Sequence, residues 1–175
     1  ILNVANKKVI LFVCTGNSCR SVMAKALLEK KLKEKKRFDV EVESAGTMMS
    51  SGMGASAETI EILKKEGIDV LAHRSKGLNE ALIRKSDLIL VMEKVHEDRI
   101  IQLAPEIKSR VFLLKEFASP VRNHDIISVS KDFSAGNKID ANNMDIEDPI
   151  GRPSEFYAKT LATIKEAIEK IAELI

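Results

Sequence analysis

Short apolar runs that alternate with helical patterns are the feature that most constrains how this chain folds. Residues 9–13, 88–92 and 111–114 are runs of aliphatic and aromatic residues, which is typical of strands buried on both faces. In residues 40–43 valine alternates with glutamate, as in a more exposed strand. Strands separated by helices form right-handed βαβ units. The pattern predicts an α/β fold, a doubly wound four-stranded parallel sheet with helices on both faces.

Helical patterns fill the spaces between these runs. Helices are predicted in five segments, residues 21–36, 57–65, 78–85, 94–103 and 154–174. Gly67 follows the second segment as a C-terminal cap, and the fourth segment stops before Pro105. Residues 119–147 are polar, which predicts an excursion or a mobile loop. No linker divides the chain, so we predict a single domain over residues 1–175.

The composition excludes several classes of protein. With 175 residues and 45% hydrophobic content, the chain suits one globular domain and not a disordered protein. A formal net charge of +2 and 4% aromatic content give no general attraction to nucleic acid and no base-stacking platform. No stretch approaches the roughly 18 apolar residues of a membrane helix, and no signal-peptide core is found. We therefore expect a cytoplasmic protein with no nucleic-acid partner and no membrane partner.

Two cysteines and three histidines limit the metal and disulfide chemistry. Cys14 and Cys19 are close in sequence, and two cysteines make neither a disulfide framework nor a four-ligand zinc site. None of the histidines shows a metal-ligand pattern such as HExxH, so we expect no metal and no cofactor. We expect His96 and His124 to be solvated at the surface, whereas His73 either supports a functional loop or is structural.

The loop after the first predicted strand is the most informative stretch of the chain. Residues 13–21 read Val-Cys-Thr-Gly-Asn-Ser-Cys-Arg-Ser and join the strand to the start of a helix. Gly16 and Asn17 tolerate positive φ, so the loop can turn successive N–H groups inward around an anion. The helix N-terminus favours negative charge, and Arg20 adds a planar fork for phosphate-like oxyanions. The loop has neither a GK[ST] ending nor GxGxxG spacing, so the sequence does not indicate a nucleotide-binding loop.

Cys14 is the candidate nucleophile of this loop. The positive field of the loop favours the thiolate form of the cysteine. A thiolate at the base of a phosphate cradle is placed for in-line attack on phosphorus. Ser21 is close enough in sequence to hydrogen-bond that thiolate. The alternative is that Cys14 is a buried structural cysteine above a tight Gly-Asn turn.

The loop resembles the phosphate-binding loop of the low molecular weight protein tyrosine phosphatase family, with its C-x5-R signature followed by serine. Residues 44–46, Ser-Ala-Gly, resemble the family's SAG segment. Residues 73–75 and 86–93, with His96 after them, look like further family segments. Asp148 and the proline that follows it resemble the family's general-acid loop. The resemblance covers most of the chain and implies a four-stranded parallel sheet flanked by helices.

The resemblance implies a catalytic role for three residues. Cys14 is expected to be the nucleophile and to form a phosphocysteine intermediate. Arg20 is expected to clamp the equatorial oxygens of the phosphoryl group, together with the backbone N–H groups of residues 15–20. Asp148 is expected to protonate the leaving group and then to activate water. This mechanism needs no metal.

The resemblance also implies binding, supporting and redox roles. The expected phosphate-binding loop comprises Thr15, Gly16, Asn17, Ser18, Cys19 and Ser21. Asn17 and Ser21 resemble loop-supporting residues of the family, and Ser44 is expected to hydrogen-bond the same loop. Cys19 is either a small side chain in the first helical turn or a resolving thiol, which in the family pairs with the oxidised nucleophile.

The substrate pocket departs from the pattern of the tyrosine-specific members, which place aromatic residues around the phenyl ring. The expected pocket residues here are Ser18, Met48, Met49 and Ile150. Ser18 stands where tyrosine phosphatases have an apolar residue and where the protein arginine phosphatases of the family have threonine. Residues 148–151, Asp-Pro-Ile-Gly, also resemble the corresponding loop of the arginine phosphatases. We expect hydrolysis of phosphotyrosine in a protein or peptide, with phosphoarginine as a close alternative.

Two further functions are weaker alternatives. Thioredoxin-coupled arsenate reductases share a similar loop, but they need two more cysteines for their disulfide relay, and the chain has none after Cys19. A non-catalytic phosphate-binding module is the other alternative, in which the basic residues 30–37 contact an acidic partner. Those residues are better explained as a solvated helix end whose cations suit the helix dipole.

Overall fold

The computed structural model describes residues 7–48, 50–119 and 144–175. Four strands form one sheet. They are β1 Lys8–Cys14, β2 Val40–Gly46, β3 Leu88–Val91 and β4 Val111–Leu113. All neighbouring strands are parallel, in the order β2-β1-β3-β4. The predicted four-stranded parallel sheet is therefore confirmed. The chain moves from β1 to one side for β2 and to the other side for β3. In parallel sheets of this kind, ligands bind at the carboxyl end of the strand where the order reverses, which here is β1.

Six α-helices and one 3-10 helix are described beside the sheet. They are α1 Arg20–Glu34, α2 Ala57–Lys65, α3 Glu80–Lys85, α4 Lys94–Leu103, the 3-10 helix Pro105–Arg110, α5 Leu114–Phe117 and α6 Ser154–Leu174. The predicted end of α1 at Lys36 is wrong by two residues. Lys36 takes a φ of 56°, and Arg37 N–H bonds back to the carbonyl of Leu32, which closes the helix. Helix α5 was not predicted because a single turn carries no periodic signal.

The two faces of the sheet bury separate hydrophobic clusters. Side chains alternate along β1, so Ile10 and Phe12 point to one face while Leu11 and Val13 point to the other. Helices α1, α2, α5 and α6 cover the first face, and α3, α4 and the 3-10 helix cover the second. This two-sided burial explains why β1 is a continuous apolar run, and it makes β1 the rigid support of the loop that follows.

Helix α6 buries the stripe that its sequence pattern predicts. Leu161, Ile164, Ile168 and Ile171 all lie in the core of the first face. Burying each such side chain stabilises the fold by about 1.5–3 kcal/mol. In the described ranges no helix is long and apolar enough to cross a membrane. Most of the predicted polar excursion, residues 120–143, and His124 within it lie outside the described residues.

Strand β2 approaches the loop after β1 very closely at its last residue. The register pairs Cys14 with Gly46, and the next two N–H groups, of Thr47 and Met48, donate to the carbonyls of Cys14 and Thr15, both at 2.9 Å. A Cβ on Gly46 would lie 2.7 Å from the carbonyl oxygen of Thr15, which is closer than real Cβ atoms come. The absence of a side chain at Gly46 therefore lets β2 support the loop directly.

The substitution Gly46→Ala is expected to lower the free energy of unfolding by about 1–3 kcal/mol, because the added methyl group overpacks against backbone. Urea denaturation measures this change. Gly54→Ala is the matched control, since a Cβ there meets nothing within 4 Å and the residue is not in the left-handed region. Equal stability of the two variants contradicts the close approach at Gly46.

Candidate active site

Residues 15–19 connect β1 to α1 at the carboxyl edge of the sheet. Cys14 is the last residue of β1 and is buried, and Arg20 is the first residue of α1. Asn17 takes a φ of 52°, whereas Gly16 stays outside the left-handed region. The turn that the sequence predicts at this pair therefore uses the asparagine and not the glycine.

Asn17 fastens the loop to the neighbouring segments. Its amide nitrogen donates to the hydroxyl oxygens of Ser21, at 2.9 Å, and Ser44, at 3.0 Å. Its side-chain oxygen accepts the N–H of Lys76 at 2.9 Å. His73 Nε2 donates to the Asn17 carbonyl at 2.7 Å, and burial lowers the pKa of this histidine. Both side-chain donors and the acceptor are used, so the left-handed turn is held from several sides.

The hydroxyl of Ser21 is oriented toward the thiol of Cys14. Cys14 Sγ lies 3.0 Å from Ser21 Oγ. Since Ser21 Oγ accepts a hydrogen bond from the amide of Asn17, its own proton is free to point at the sulfur. A hydroxyl donor at this position can hydrogen-bond the sulfur of Cys14.

Arg20 is the central charge of the site and is only 1% exposed. One terminal nitrogen forms an ion pair with Glu93 and donates to the carbonyl of Ile146 at 2.7 Å. The other donates to Asp148 Oδ2 at 2.8 Å and to Thr15 Oγ1 at 3.3 Å. These contacts use four of the five N–H donors of the guanidinium.

The fifth donor of Arg20 has no partner among the residues that the structure describes. Within residues 7–48, 50–119 and 144–175, Arg20 Nε is the one buried side-chain polar atom without a hydrogen bond. Leaving a buried donor unpaired costs about 1–3 kcal/mol. An oxyanion beside Nε removes that cost, and a guanidinium offers two adjacent donors for such a group. The geometry thus suits a phosphate-like ligand.

The prediction that His96 is solvated is wrong. Its side chain is 1% exposed and its Nε2 lies 2.9 Å from Thr15 Oγ1, while its Nδ1 accepts the N–H of Glu93 at 3.1 Å. Burial, and then the charge of Arg20, lower the pKa of His96 to about 4. His96 lies four residues before the buried Ile100, so both share the inner face of α4, and this helical spacing is the signal of its burial in the sequence.

The expected pocket residues lie beside this site with different exposure. Met48 and Ile150 are 58% and 53% exposed. The N–H of Met48 donates to the carbonyl of Thr15, and the N–H of Ile150 donates to Asp148 Oδ1 at 3.1 Å. Ser18 is half-buried. Met49 lies outside the described residues.

Cys19 lies in a second small polar group behind the loop. Both cysteines are free thiols. Cys19 Sγ donates to Ser56 Oγ at 3.3 Å, and the Tyr157 hydroxyl bonds to the same two groups. Burial, and then the neighbouring thiol, raise the pKa of Tyr157 to about 12. The contacts tie the start of α1 to α2 and α6.

Sequence reasoning missed two partners of Arg20. In the sequence Glu93 belongs to the family-like segment 86–93 without a role of its own, and no pattern marks Ile146. The available signal for Glu93 is its position two residues after β3, where the carboxyl edge of a parallel sheet collects ligand-binding groups. Ile146 acts through its backbone carbonyl, which no side-chain pattern reveals.

Comparison with known proteins identifies the family of the chain. Residues 9–132 match the family described as low molecular weight phosphotyrosine protein phosphatase. The chain belongs to that family. A protein-arginine-phosphatase of Geobacillus stearothermophilus is 37% identical over 94% of this chain and 93% of its own length. The tyrosine phosphatase Wzb of Escherichia coli K12 is 38% identical over 59% of this chain and 67% of its own.

Solved structures of the family share the fold. The low molecular weight protein tyrosine phosphatase from T. tengcongensis superposes with a TM-score of 0.78 at 36% identity, covering 97% of this chain and all of that one. The arginine phosphatase YwlE from Geobacillus stearothermophilus gives a TM-score of 0.75 at 37% identity, with 95% and 91% coverage. The predictions of this family and of a cysteine-dependent phosphatase are confirmed.

Proposed function

We propose that the chain hydrolyses phosphotyrosine in proteins or peptides through a phosphocysteine intermediate on Cys14. The observation that carries the proposal is the buried Arg20. Its Nε has no partner in the described part of the chain, and its second terminal nitrogen can exchange Asp148 for an anion. These two nitrogens form one edge of the guanidinium, and that edge matches two oxygens of a phosphoryl group.

In the first step, the Cys14 thiolate attacks phosphorus. The sulfur–phosphorus bond forms while the bond from phosphorus to the phenolic oxygen breaks, and the leaving oxygen takes a proton from the carboxyl group of Asp148. The loop N–H groups and Arg20 stabilise the charge on the equatorial oxygens. Ser21 stabilises the sulfur before attack and again when it leaves.

In the second step, water releases the phosphate. Asp148, now a carboxylate, takes a proton from the water while the water oxygen attacks phosphorus. The sulfur–phosphorus bond breaks and its electron pair returns to Cys14 as thiolate. The Ile150 N–H holds one oxygen of Asp148, which leaves the other oxygen for proton transfer.

The rim of the site supports an aromatic substrate. Met48 and Ile150 expose apolar side chains, and each is tied by its backbone to a residue of the site. A methionine sulfur packs favourably against a ring, so Met48 can replace the aromatic clamp that the sequence lacks. This rim is the physical reason for placing phosphotyrosine first.

Phosphoarginine is the second candidate because of Ser18. A hydroxyl in the loop can orient a guanidinium or a water, which an apolar residue there cannot do. A relative covering 94% of this chain carries the name protein-arginine-phosphatase, and this is consistent with the same candidate. In that reaction the phosphorus–nitrogen bond breaks, and the guanidinium nitrogen takes the proton of Asp148.

The variant Cys14→Ser is expected to lose turnover, because a serine hydroxyl at the same position is a far weaker nucleophile than a thiolate. Release of phosphate from p-nitrophenyl phosphate measures the loss, which we expect to exceed about a hundredfold. Cys19→Ser is the matched control, as it removes the other thiol of the loop. Undiminished turnover by Cys14→Ser eliminates the phosphocysteine mechanism.

A panel of phosphotyrosine, phosphoarginine and phosphoserine peptides tests the substrate. We expect phosphotyrosine to give the highest kcat/KM, and Ser18→Ile to lower turnover of phosphoarginine more than turnover of phosphotyrosine. The reason is that isoleucine removes the hydroxyl and adds apolar surface. If the wild type prefers phosphoarginine, the second candidate replaces the first.

We also propose that Cys19 protects Cys14 from irreversible oxidation in a reducing cytoplasm. A peroxide oxidises the Cys14 thiolate to a sulfenic acid. The Cys19 thiolate then attacks that sulfur, a disulfide forms, and hydroxide leaves to become water. Mass spectrometry after mild peroxide treatment is expected to find the Cys14–Cys19 disulfide in the wild type. Direct conversion of Cys14 to the sulfonic acid argues against the protection.

A further inference from the structure

The hydroxyl group of Thr15 receives two hydrogen bonds at the edge of the site. His96 Nε2 lies 2.9 Å from its oxygen, and a terminal nitrogen of Arg20 lies 3.3 Å from it. A hydroxyl oxygen has two acceptor lone pairs, so these two donors occupy both. Thr15 thus links a buried histidine to the charge that is proposed to bind phosphate.

The direction of the bond from His96 follows from its other ring nitrogen. Nδ1 accepts the N–H of Glu93, so the ring proton is on Nε2 and is donated to Thr15. The groups that face this ring from the surrounding elements are Arg20, Asp145 and Asp148. Burial and the Arg20 charge lower the pKa to about 4, so the ring is neutral and keeps this tautomer near neutral pH.

These contacts form a closed cycle of hydrogen bonds that begins and ends at the guanidinium of Arg20. One terminal nitrogen of Arg20 pairs with the carboxylate of Glu93, the N–H of Glu93 bonds to His96, and His96 bonds to Thr15. Thr15 then returns to the other terminal nitrogen. A planar guanidinium that is held at both terminal nitrogens has a fixed orientation. Among the described residues Nε of Arg20 has no partner, so it remains available to a ligand.

We propose that His96 is a positioning residue that, through Thr15, holds Arg20 with its Nε and one terminal nitrogen facing the transferred phosphoryl group. The inference rests on the proposed function. The Thr15 bond matters because Arg20 must change partners when phosphate binds. Asp148 then releases its hydrogen bond to Arg20, and an oxyanion takes its place. At that moment the Thr15 bond is what still holds the nitrogen that changes partner.

A simpler role for His96 is to cap α4. Its ring accepts the N–H of Glu93, the residue before the helix, and the Glu93 side chain accepts the backbone N–H of His96 in return. That role alone affects stability and not phosphate binding. The two roles are separable because they use different ring nitrogens.

Two substitutions separate the nitrogens. His96→Asn keeps an acceptor bonded to Cγ that can reach the Glu93 N–H, but its side chain is too short to reach Thr15. His96→Gln places an N–H donor one bond farther out, at about the position of Nε2, and glutamine at this helix position still caps. Thr15→Val removes the hydroxyl from the other end of the bond. Val95→Asn, at an exposed neighbour, is the control.

The experiment measures binding of inorganic phosphate to the full chain by calorimetry, together with kcat, KM and urea unfolding. We expect His96→Asn to weaken phosphate binding and lower kcat/KM, each by up to about tenfold, the size expected for the loss of one hydrogen bond between neutral groups. We expect His96→Gln to recover most of the lost binding. In the Thr15→Val variant, adding His96→Asn should cause no further loss of phosphate binding or of kcat/KM, because both substitutions remove the same contact.

Several results overturn the proposal. Additive losses in the double variant show that His96 acts without Thr15, and a loss of stability with unchanged phosphate binding shows that it only caps α4. The ratio of wild-type to His96→Asn activity should be constant from pH 5 to 8. If the substitution instead removes an ionisation from that profile, His96 carries a proton and does not merely orient Arg20.

The readouts distinguish this proposal from the proposed function. Phosphate binding needs no turnover, so it reports on Arg20 even if Cys14→Ser keeps full activity and the phosphocysteine mechanism falls. A wild type that binds no phosphate overturns both. A wild type that binds phosphate and turns over substrate, with both properties unchanged in His96→Asn, overturns the positioning role alone.

Discussion

The arrangement of residues at the carboxyl edge of the sheet depends on the pairing of the buried charge of Arg20. A guanidinium that is removed from water must be paired, because its desolvation costs more than any single contact returns. Its partners come from the loop after β1, the residue before α4 and the segment before α6. The charge therefore joins three separate parts of the chain, and Asp148 is in position because it completes the pairing.

The sheet topology explains why this charge can be placed here. The strand order changes direction at β1, so the loop after it faces a crevice between its two neighbours. Gly46 lets β2 contact that loop from one side, and Asn17 holds the turn from within. Backbone N–H groups and a helix start are thereby collected at one edge, where they favour an anion.

Prediction from the sequence succeeded where the determining residues are close together. The apolar run of β1 and the stripe of α6 repeat locally, and the loop from Cys14 to Ser21 carries its chemistry in one stretch. It failed at the end of α1, where Lys36 adopts a positive φ that its residue type does not favour. It also failed at His96, because histidine is a polar residue type, although its spacing to the buried Ile100 places it on the inner face of α4.

The sequence by itself determined the alternation of strands and helices and the chemistry of the loop, since both depend on neighbouring residues. Only the tertiary structure decided how the five donors of Arg20 are distributed. Ile146 and Asp148 lie 126 and 128 positions from it along the chain. Hydrogen bonds depend on distance and direction in space, so a group so far away in sequence becomes a partner only when the sheet has formed. The same is true of the bond between His96 and Thr15.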